Sequence, residues 1–553
     1  MIFRIAYKFE RAILEILKLQ LFNMLLIRPV GFVSRISPTP TGELLRLVAP
    51  RLLPYPEESP GFTYSSPDSD RSSDEKEYPG EKGSIGTELC DWYGVKDPAN
   101  PKNWSLAKKL WVTANILACA FVVYMSGPIW SPSHEMFAEE FGAGYEYTSL
   151  GLALYTLGYG IGPLLFSPLS EIPSIGRNRP YIVTFIAFML ITIPTALVRN
   201  APAFMFFRFW QGFFGSPILA TGGASIVDIF DEIHAPIALS TWGAACFVAP
   251  PVGTIISAAA VTHLGWRFSI WETLIASGPV LAMMLLLPET SPDTILYYRA
   301  ERLRRVTGND NIRSRSEISQ RGITVRTIVV DSLLVPSRIT LMDPAVLFIN
   351  IYLCLIYGVY YSFFESFPIV YQGMYDFPLL GLGLAFLPLA VGTVFSVSGY
   401  LAFLILDRKP RLEAGQDVQP EHVLIPAIVA SFLPPVGLLL FGWSSDPSVH
   451  WIVSMVGIAL YPAGVFTVFQ SLLSYLAAYQ PRFTASLYAA SDFTRSSFAF
   501  AAILFARPMF IAMGIGGGCS LLAGLMICCI FGMVAIYHFG PKLRSQSKFR
   551  ASW

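Results

Sequence analysis

The chain has 553 residues, 53% of them hydrophobic and 14% charged, with a mean hydropathy of +0.52. That balance excludes a soluble multidomain protein and fits apolar spans joined by polar loops. The net charge of +1 conceals a segregation of charge along the chain and gives no argument for nucleic acid, which is not expected as a partner. Of the seven cysteines, Cys119, Cys246, Cys354, Cys519, Cys528 and Cys529 lie in apolar runs and only Cys90 lies outside them. This is neither a disulfide framework nor a metal-ligand spacing, and no metal or cofactor is expected.

Residues 1–96 read as an N-terminal tail, largely disordered. Its first stretch interleaves Arg4, Lys8, Arg11 and Lys18 with Ile, Leu and Phe, and Glu10 and Glu15 interrupt any continuous span. Two readings stand, an interfacial amphipathic helix and a non-essential extension. The same charges argue against a cleaved signal peptide. From Pro54 to Trp92 the chain is acidic, rich in Ser, Pro and Gly, and too poor in apolar residues to fold.

After Asp97 come apolar runs of about 20 residues, the length that crosses a bilayer. Within residues 97–288 they are Leu110 to Trp130, Thr148 to Ser167, Tyr181 to Val198, Ala203 to Ile226, Pro236 to Val261 and Ser269 to Pro288. An arginine-rich loop, 289–343, follows. Residues 344–540 then carry Pro344 to Phe367, Leu379 to Leu406, Val423 to Phe441, His450 to Leu476, Ala485 to Ala506 and Gly514 to His538, and 541–553 form a C-terminal tail. The expected fold is an all-α integral membrane protein of twelve transmembrane helices in two six-helix halves.

Lysines and arginines of short loops set orientation. Lys102, Lys108, Lys109, Arg177, Arg179, Arg408, Lys409, Arg411, Arg482, Lys542, Arg544, Lys548 and Arg550 fall on one side, against Arg199, Arg267 and Arg507 on the other. Both termini and the central loop, with Arg299, Arg302, Arg304 and Arg305, are therefore expected in the cytoplasm. The formal glycosylation acceptor Asn103-Trp-Ser105 should then carry no glycan.

Several motifs interrupt the apolar runs. Ser167-Pro-Leu-Ser-Glu171 and Gly176-Arg177-Asn-Arg179 form a short charged loop after the second run, in which Glu171 and Arg177 are expected to pair. Asp407-Arg-Lys-Pro-Arg411 echoes it after the eighth, as a duplicated half would. The fourth run carries Arg208-Phe-Trp-Gln-Gly212. An arginine costs at least ~2.5 kcal/mol in hydrocarbon, so it faces a cavity, a carboxylate or backbone carbonyls, or it snorkels to the outer surface. Ala249-Pro-Pro-Val-Gly253 lies in the fifth run, where small residues allow close helix approach and proline frees a carbonyl. Trp266-Arg267, Trp271-Glu272 and Pro288-Glu-Thr290 bracket the sixth run as boundary residues.

In the seventh run, at about 100° per residue, Asn350, Tyr357, Tyr361, Phe364 and Glu365 share one arc. Tyrosines with one carboxylate suit amphipathic or cationic ligands and can trade a proton for a cation. The alternative, an aromatic belt at the outer surface, accounts for Phe367 and Tyr371 better than for Tyr357. In the eleventh run Asp492-Phe-Thr-Arg495-Ser496 places Asp492 and Arg495 three apart on one face, as a static pair or a coupling site.

From about Asp97 to the C-terminus these motifs resemble the major facilitator superfamily, and within it the fungal branch of drug:proton antiporters. The charged loop is similar to that family's Gly-x-Leu-x-Asp and Gly-Arg signature, with Ser167 for the first Gly, Glu171 for Asp, and the extra Pro173 and Ser174. Ala249-Pro250-Pro251-Val-Gly253 stands in place of Gly-Pro-x-x-Gly. Ser491 stands where Asn is usual before Asp492. The resemblance implies gating by Glu171, Arg177, Arg179, Asp228, Ala249, Pro250, Pro251, Gly253 and Arg495. It implies proton coupling through Arg208, Asp492 and Glu365, and substrate contact by Asn350, Tyr357, Tyr361, Phe364 and Glu365. The first run has no acidic residue, so the proton carrier lies elsewhere.

The expected function is a monomeric, proton-coupled exporter of small organic molecules, such as drugs, toxins, secondary metabolites or polyamines, in the cell membrane or an internal one. The partners are the substrate, protons and the lipid bilayer. The alternatives are a proton-coupled importer and a non-transporting sensor, which the long tail leaves open. ATP cannot drive the chain directly, because it has no Walker motif. An enzyme is not expected: His134, His234, His263, His422, His450 and His538 lie in loops or at span ends, outside any H-E-x-x-H or G-x-S-x-G context.

Overall fold

The computed structural model describes residues 39–42, 55–58, 88–320, 337–416, 419–479 and 484–546. The helix-or-extension question at the N-terminus, and Arg482, Lys548 and Arg550, lie outside these residues. Helices α1 Leu106–Met125, α2 His134–Phe141, α3 Tyr145–Ser170, α4 Asn178–Leu197, α5 Ala201–Gly215, α6 Pro217–Ile229, α7 Ala235–Leu264 and α8 Arg267–Met284 build the first half. Between the halves stand α9 Pro292–Thr307 and α10 Arg315–Ser319. The second half comprises α11 Pro344–Phe367, α12 Leu379–Leu384, α13 Leu387–Phe403, α14 Lys409–Glu413, α15 Leu424–Ala430, α16 Leu433–Ser444, α17 Trp451–Tyr479 and α18 Thr484–Gln546.

Local chemistry starts these helices where they start. Asn200 accepts from the Ala203 N–H at 2.9 Å to open α5, with Pro202 inside the first turn. Asp343 accepts from the N–H groups of Ala345 and Val346 ahead of Pro344 to open α11. Gly142 and Gly308, both left-handed, end α2 and α9.

Among the described residues ten helices are long and apolar enough to cross a membrane. Two features separate that number from the expected twelve. The sixth run folds as α8, too polar at Arg267 and Glu272 to qualify alone. The eleventh and twelfth runs join in α18, broken only at Gly514, whose φ of 73° and ψ of 159° suit glycine alone. The fourth run, expected as one span, is one span from Ala201 to Ile229, its helix interrupted at Ser216 and Pro217 between α5 and α6. The span that begins with α11 has a larger share of buried residues than Leu379–Glu413 or Pro420–Ser444. α11 therefore runs through the centre, while α13 and α16 turn apolar faces such as Phe395 and Val436 outward.

The described residues of Pro54 to Trp92 depart from the unfolded reading. Strand β1, Glu88–Cys90, pairs in parallel with β2, Ile312–Ser314, and Cys90, Ile312, Ala300 and Leu303 close a small apolar core. Arg299 is buried between Asp97 (2.7 Å) and Glu57 (3.4 Å), over the rings of Tyr93 and Trp92. Burial raises the Asp97 carboxyl pKa. Hydrogen bonds from Arg299 and from the Tyr93 and Ala99 N–H groups, with the guanidinium charge, more than offset this and leave it below 3.8.

Candidate functional site

Close helix contacts create the centre. A Cβ on Gly158 would stand 2.2 Å from the Phe209 carbonyl oxygen of α5, and one on Gly160 would stand 2.3 Å from the Ser496 Cβ of α18. Glycine on successive faces thus lets α3 touch both halves. Between them Tyr159 of α3 projects to α11, its hydroxyl 2.5 Å from that of Tyr357 and 3.0 Å from that of Tyr361. Tyr124 of α1 meets Tyr159 edge-on, and Phe364 stacks on Phe386. Of the five residues expected on the substrate face, all are buried. Tyr357, Tyr361 and Phe364 join this aromatic cluster. Asn350 donates to the Val346 carbonyl of its own helix, and its Oδ1 has no partner among the described residues.

Asp492 and Arg495 pair on one face of α18, as their spacing suggests, and the Arg495 guanidinium lies over Tyr357 (5.2 Å) and Phe469 (5.0 Å). A buried ion pair is thus held against the tyrosines. Glu365 sits farther toward the opposite side from the chain ends, where its Oε2 accepts from Ser149 Oγ of the other half at 3.0 Å. Its Oε1 has no partner among the described residues. Nearby Arg507 of α18 covers the ring of Tyr145 at 3.7 Å. These contacts join the two halves on that far side. Phe367 and Tyr371 are fully buried there, Tyr371 bonded to Ser454, so they form no lipid-facing belt. Trp266, expected as a boundary residue, stands at the start of α8 and is buried against Trp130, Phe137 and Phe204.

Arg208 is fully buried and does not snorkel. It donates to the carbonyls of Gly151 (2.9 Å), Ser126 (2.9 Å) and Gly127 (2.8 Å) and to Gln211 Oε1 (2.9 Å). Ser126 and Gly127 follow the end of α1, where helix carbonyls lack partners, and the guanidinium fork supplies them. None of these four acceptors is a carboxylate, and the structure does not bring Arg208 and Asp492 together.

At the tail side, Arg177 pairs with Asp228 of α6 (Nε to Oδ2 2.7 Å), correcting the expected pairing with Glu171, whose side chain is exposed. Glu289 accepts the N–H groups of Arg177 and Asn178 at the start of α4 and those of Thr290 and Ser291. Gly176, at φ 73°, is required there, since a Cβ would meet Glu289 Oε2 at 2.6 Å. Arg179 donates to Tyr298 of α9, joining the loop to the central segment. In α7, Ala249, Pro250, Pro251 and Gly253 are buried, and a Gly253 Cβ would fall 2.3 Å from Met125 Cγ.

Tyr124, Tyr159, Phe386, Phe469 and Glu289 were not expected at these places. The only signal for Tyr159 is its position among the α3 glycines.

Residues 116–501 match the sequence pattern of the Major Facilitator Superfamily. The chain belongs to that superfamily. This major facilitator protein is a multi-pass membrane transporter, a class that performs no enzymatic reaction. It is similar to the MFS-type transporter pyvG of Aspergillus violaceofuscus, 45% identical over 83% of this chain and 84% of that one. Fluconazole resistance protein 1 of Saccharomyces cerevisiae is 36% identical over 83% and 84% of the two chains. The citrinin biosynthesis cluster MFS transporter mrr1 of Monascus ruber is 34% identical over 84% and 93%. The xylose transporter XylE from E. coli, solved in a partially occluded inward-open conformation, aligns with a TM-score of 0.53 at 14% identity, over 78% of this chain and 98% of that one. That likeness concerns the fold.

Proposed function

We propose that this transporter is a twelve-span exporter that moves small amphipathic or cationic organic molecules out of the cell in exchange for protons, by alternating access. Its termini and central loop lie in the cytoplasm, and it works as a monomer. The observation that carries this reading is the hydroxyl-rich aromatic cluster of Tyr124, Tyr159, Tyr357 and Tyr361, at the junction of the two halves and capped by the buried Asp492–Arg495 pair. Aromatic faces hold amphipathic and cationic solutes without demanding one shape. The names of the relatives, which speak of fluconazole resistance and of a citrinin biosynthesis cluster, support export over import.

Within this reading Glu365 works as a far-side latch as much as a substrate contact. Its carboxylate holds Ser149 across the halves, and taking up or giving up a proton there changes the strength of that bond. Arg177, Asp228 and Glu289 hold the tail-side gate, with Arg179 fastening it to α9. Arg208 supports coupling by fixing the end of α1. Expression in a yeast strain stripped of its own efflux pumps tests the proposal. Raised tolerance to a panel of aromatic toxins, with efflux abolished by a protonophore, is expected. Toxin accumulation, or efflux indifferent to the protonophore, would overturn it.

A further inference from the structure

Pro251 has no N–H to give to the carbonyl four residues earlier, so the helix leaves the Phe247 oxygen without its usual partner. The vacancy is filled from the other half of the molecule: Tyr360 of α11 donates its hydroxyl to that oxygen at 2.9 Å. Both residues are buried, their rings meet edge-on at 5.7 Å, and Phe466 and Phe469 of α17 pack around Phe247. A hydrogen bond in so apolar a seam is strong, and each group left alone there is costly. The bond is present together with the Glu365–Ser149 and Arg507–Tyr145 contacts that join the halves on the far side.

We propose that Tyr360 is a positioning residue for transport, whose hydroxyl occupies the place vacated by Pro251 and favours the state closed on the far side. The inference rests on the alternating-access reading above. When the halves part along this seam, both groups gain water and the bond is no longer needed. Proline at 251 thus makes a helix carbonyl available to the opposite half, which an ordinary residue would keep for the helix.

Four full-length chains test this: the unaltered protein, Tyr360→Phe, Pro251→Ala, and the double variant. Far-side opening is read by hydrogen–deuterium exchange in segments 134–144 and 373–378, beside thermal melting. Tyr360→Phe should raise the open population about tenfold. Pro251→Ala should shift it the same way, because the restored N–H competes with the hydroxyl. In the double variant the N–H satisfies the carbonyl and no hydroxyl is stranded, so exchange should return toward that of the unaltered chain. Unchanged exchange in Tyr360→Phe, or a double variant more open than either single one, would overturn the proposal. So would failure of both Tyr360→Phe and the double variant to fold, which would make the hydroxyl a folding element. Failure of the exporter reading looks different: the unaltered chain moves no compound of the panel, whatever the four exchange patterns show.

Discussion

Arg208 shows what a buried charge does when its partners are neutral. Its fork satisfies four oxygens from three parts of the first half. Arg208→Ala should therefore cost about 2–4 kcal/mol of stability through stranded carbonyls as well as abolish transport. Arg208→Lys, with a compact head, should recover only part of each, as seen by melting in detergent and by efflux. A variant that melted normally but failed to transport would return Arg208 to a direct part in proton movement. Glu365→Gln keeps the bond to Ser149 in shape but cannot change its charge. Cation export should weaken and lose its pH dependence while neutral substrates are spared, a contrast measured by efflux at several external pH values. Individual side chains were only partly legible in the sequence. The 3.6-residue period put Tyr357, Tyr361 and Phe364 on one face, because helical geometry is local. Asp228 lies 51 residues from Arg177, and no local rule prefers it to nearby Glu171.

Helices were the most legible feature, since an apolar run long enough for the bilayer declares itself through composition. The α11 limits agree with the run Pro344 to Phe367. Breaks inside runs were not legible, because prolines at 217 and 434 sit in stretches as apolar as their neighbours. Helix contacts, which depend on tertiary approach, were hidden for the same reason, and glycine is where they can be tested. Gly158→Ala drives a methyl into a backbone oxygen at 2.2 Å that cannot yield, whereas Gly524→Ala meets nothing within 4 Å. The first should cost more than about 2 kcal/mol, and the second should be neutral or stabilising by up to about 1 kcal/mol. Equal melting temperatures for the two variants would refute the close approach of α3 and α5.

At the scale of the molecule, the tail, the central segment and the gate loop form one connected assembly through Arg299, Tyr298 and Arg179. The folded pKa of Asp97 lies below its ordinary value of 3.8, so its contribution to this clasp is complete above that pH. It is lost as pH falls from about 3.8 through the lowered folded value. Asp97→Asn should give a looser clasp at neutral pH and little further change on acidification. Hydrogen–deuterium exchange in residues 88–100 and 292–307, compared between pH 7 and pH 3, is the measurement; equal exchange in both chains would dissociate Asp97 from the clasp. Composition marked this region as polar but could not reveal that β1 and β2, more than two hundred residues apart, would meet.

The deep burial of α11 also bears on how the protein is made. A helix that ends among other helices has no need, in the finished molecule, of apolarity as high as that of α11. It needs that apolarity earlier, when the ribosome delivers it to the insertion machinery and lipid is its only surroundings. The tyrosines of the centre are correspondingly placed along a segment whose Leu, Ile, Val and Phe side chains carry it into the membrane, where the earlier-made α3 and α7 already hold the partners of those hydroxyls, Tyr159 and the Phe247 carbonyl.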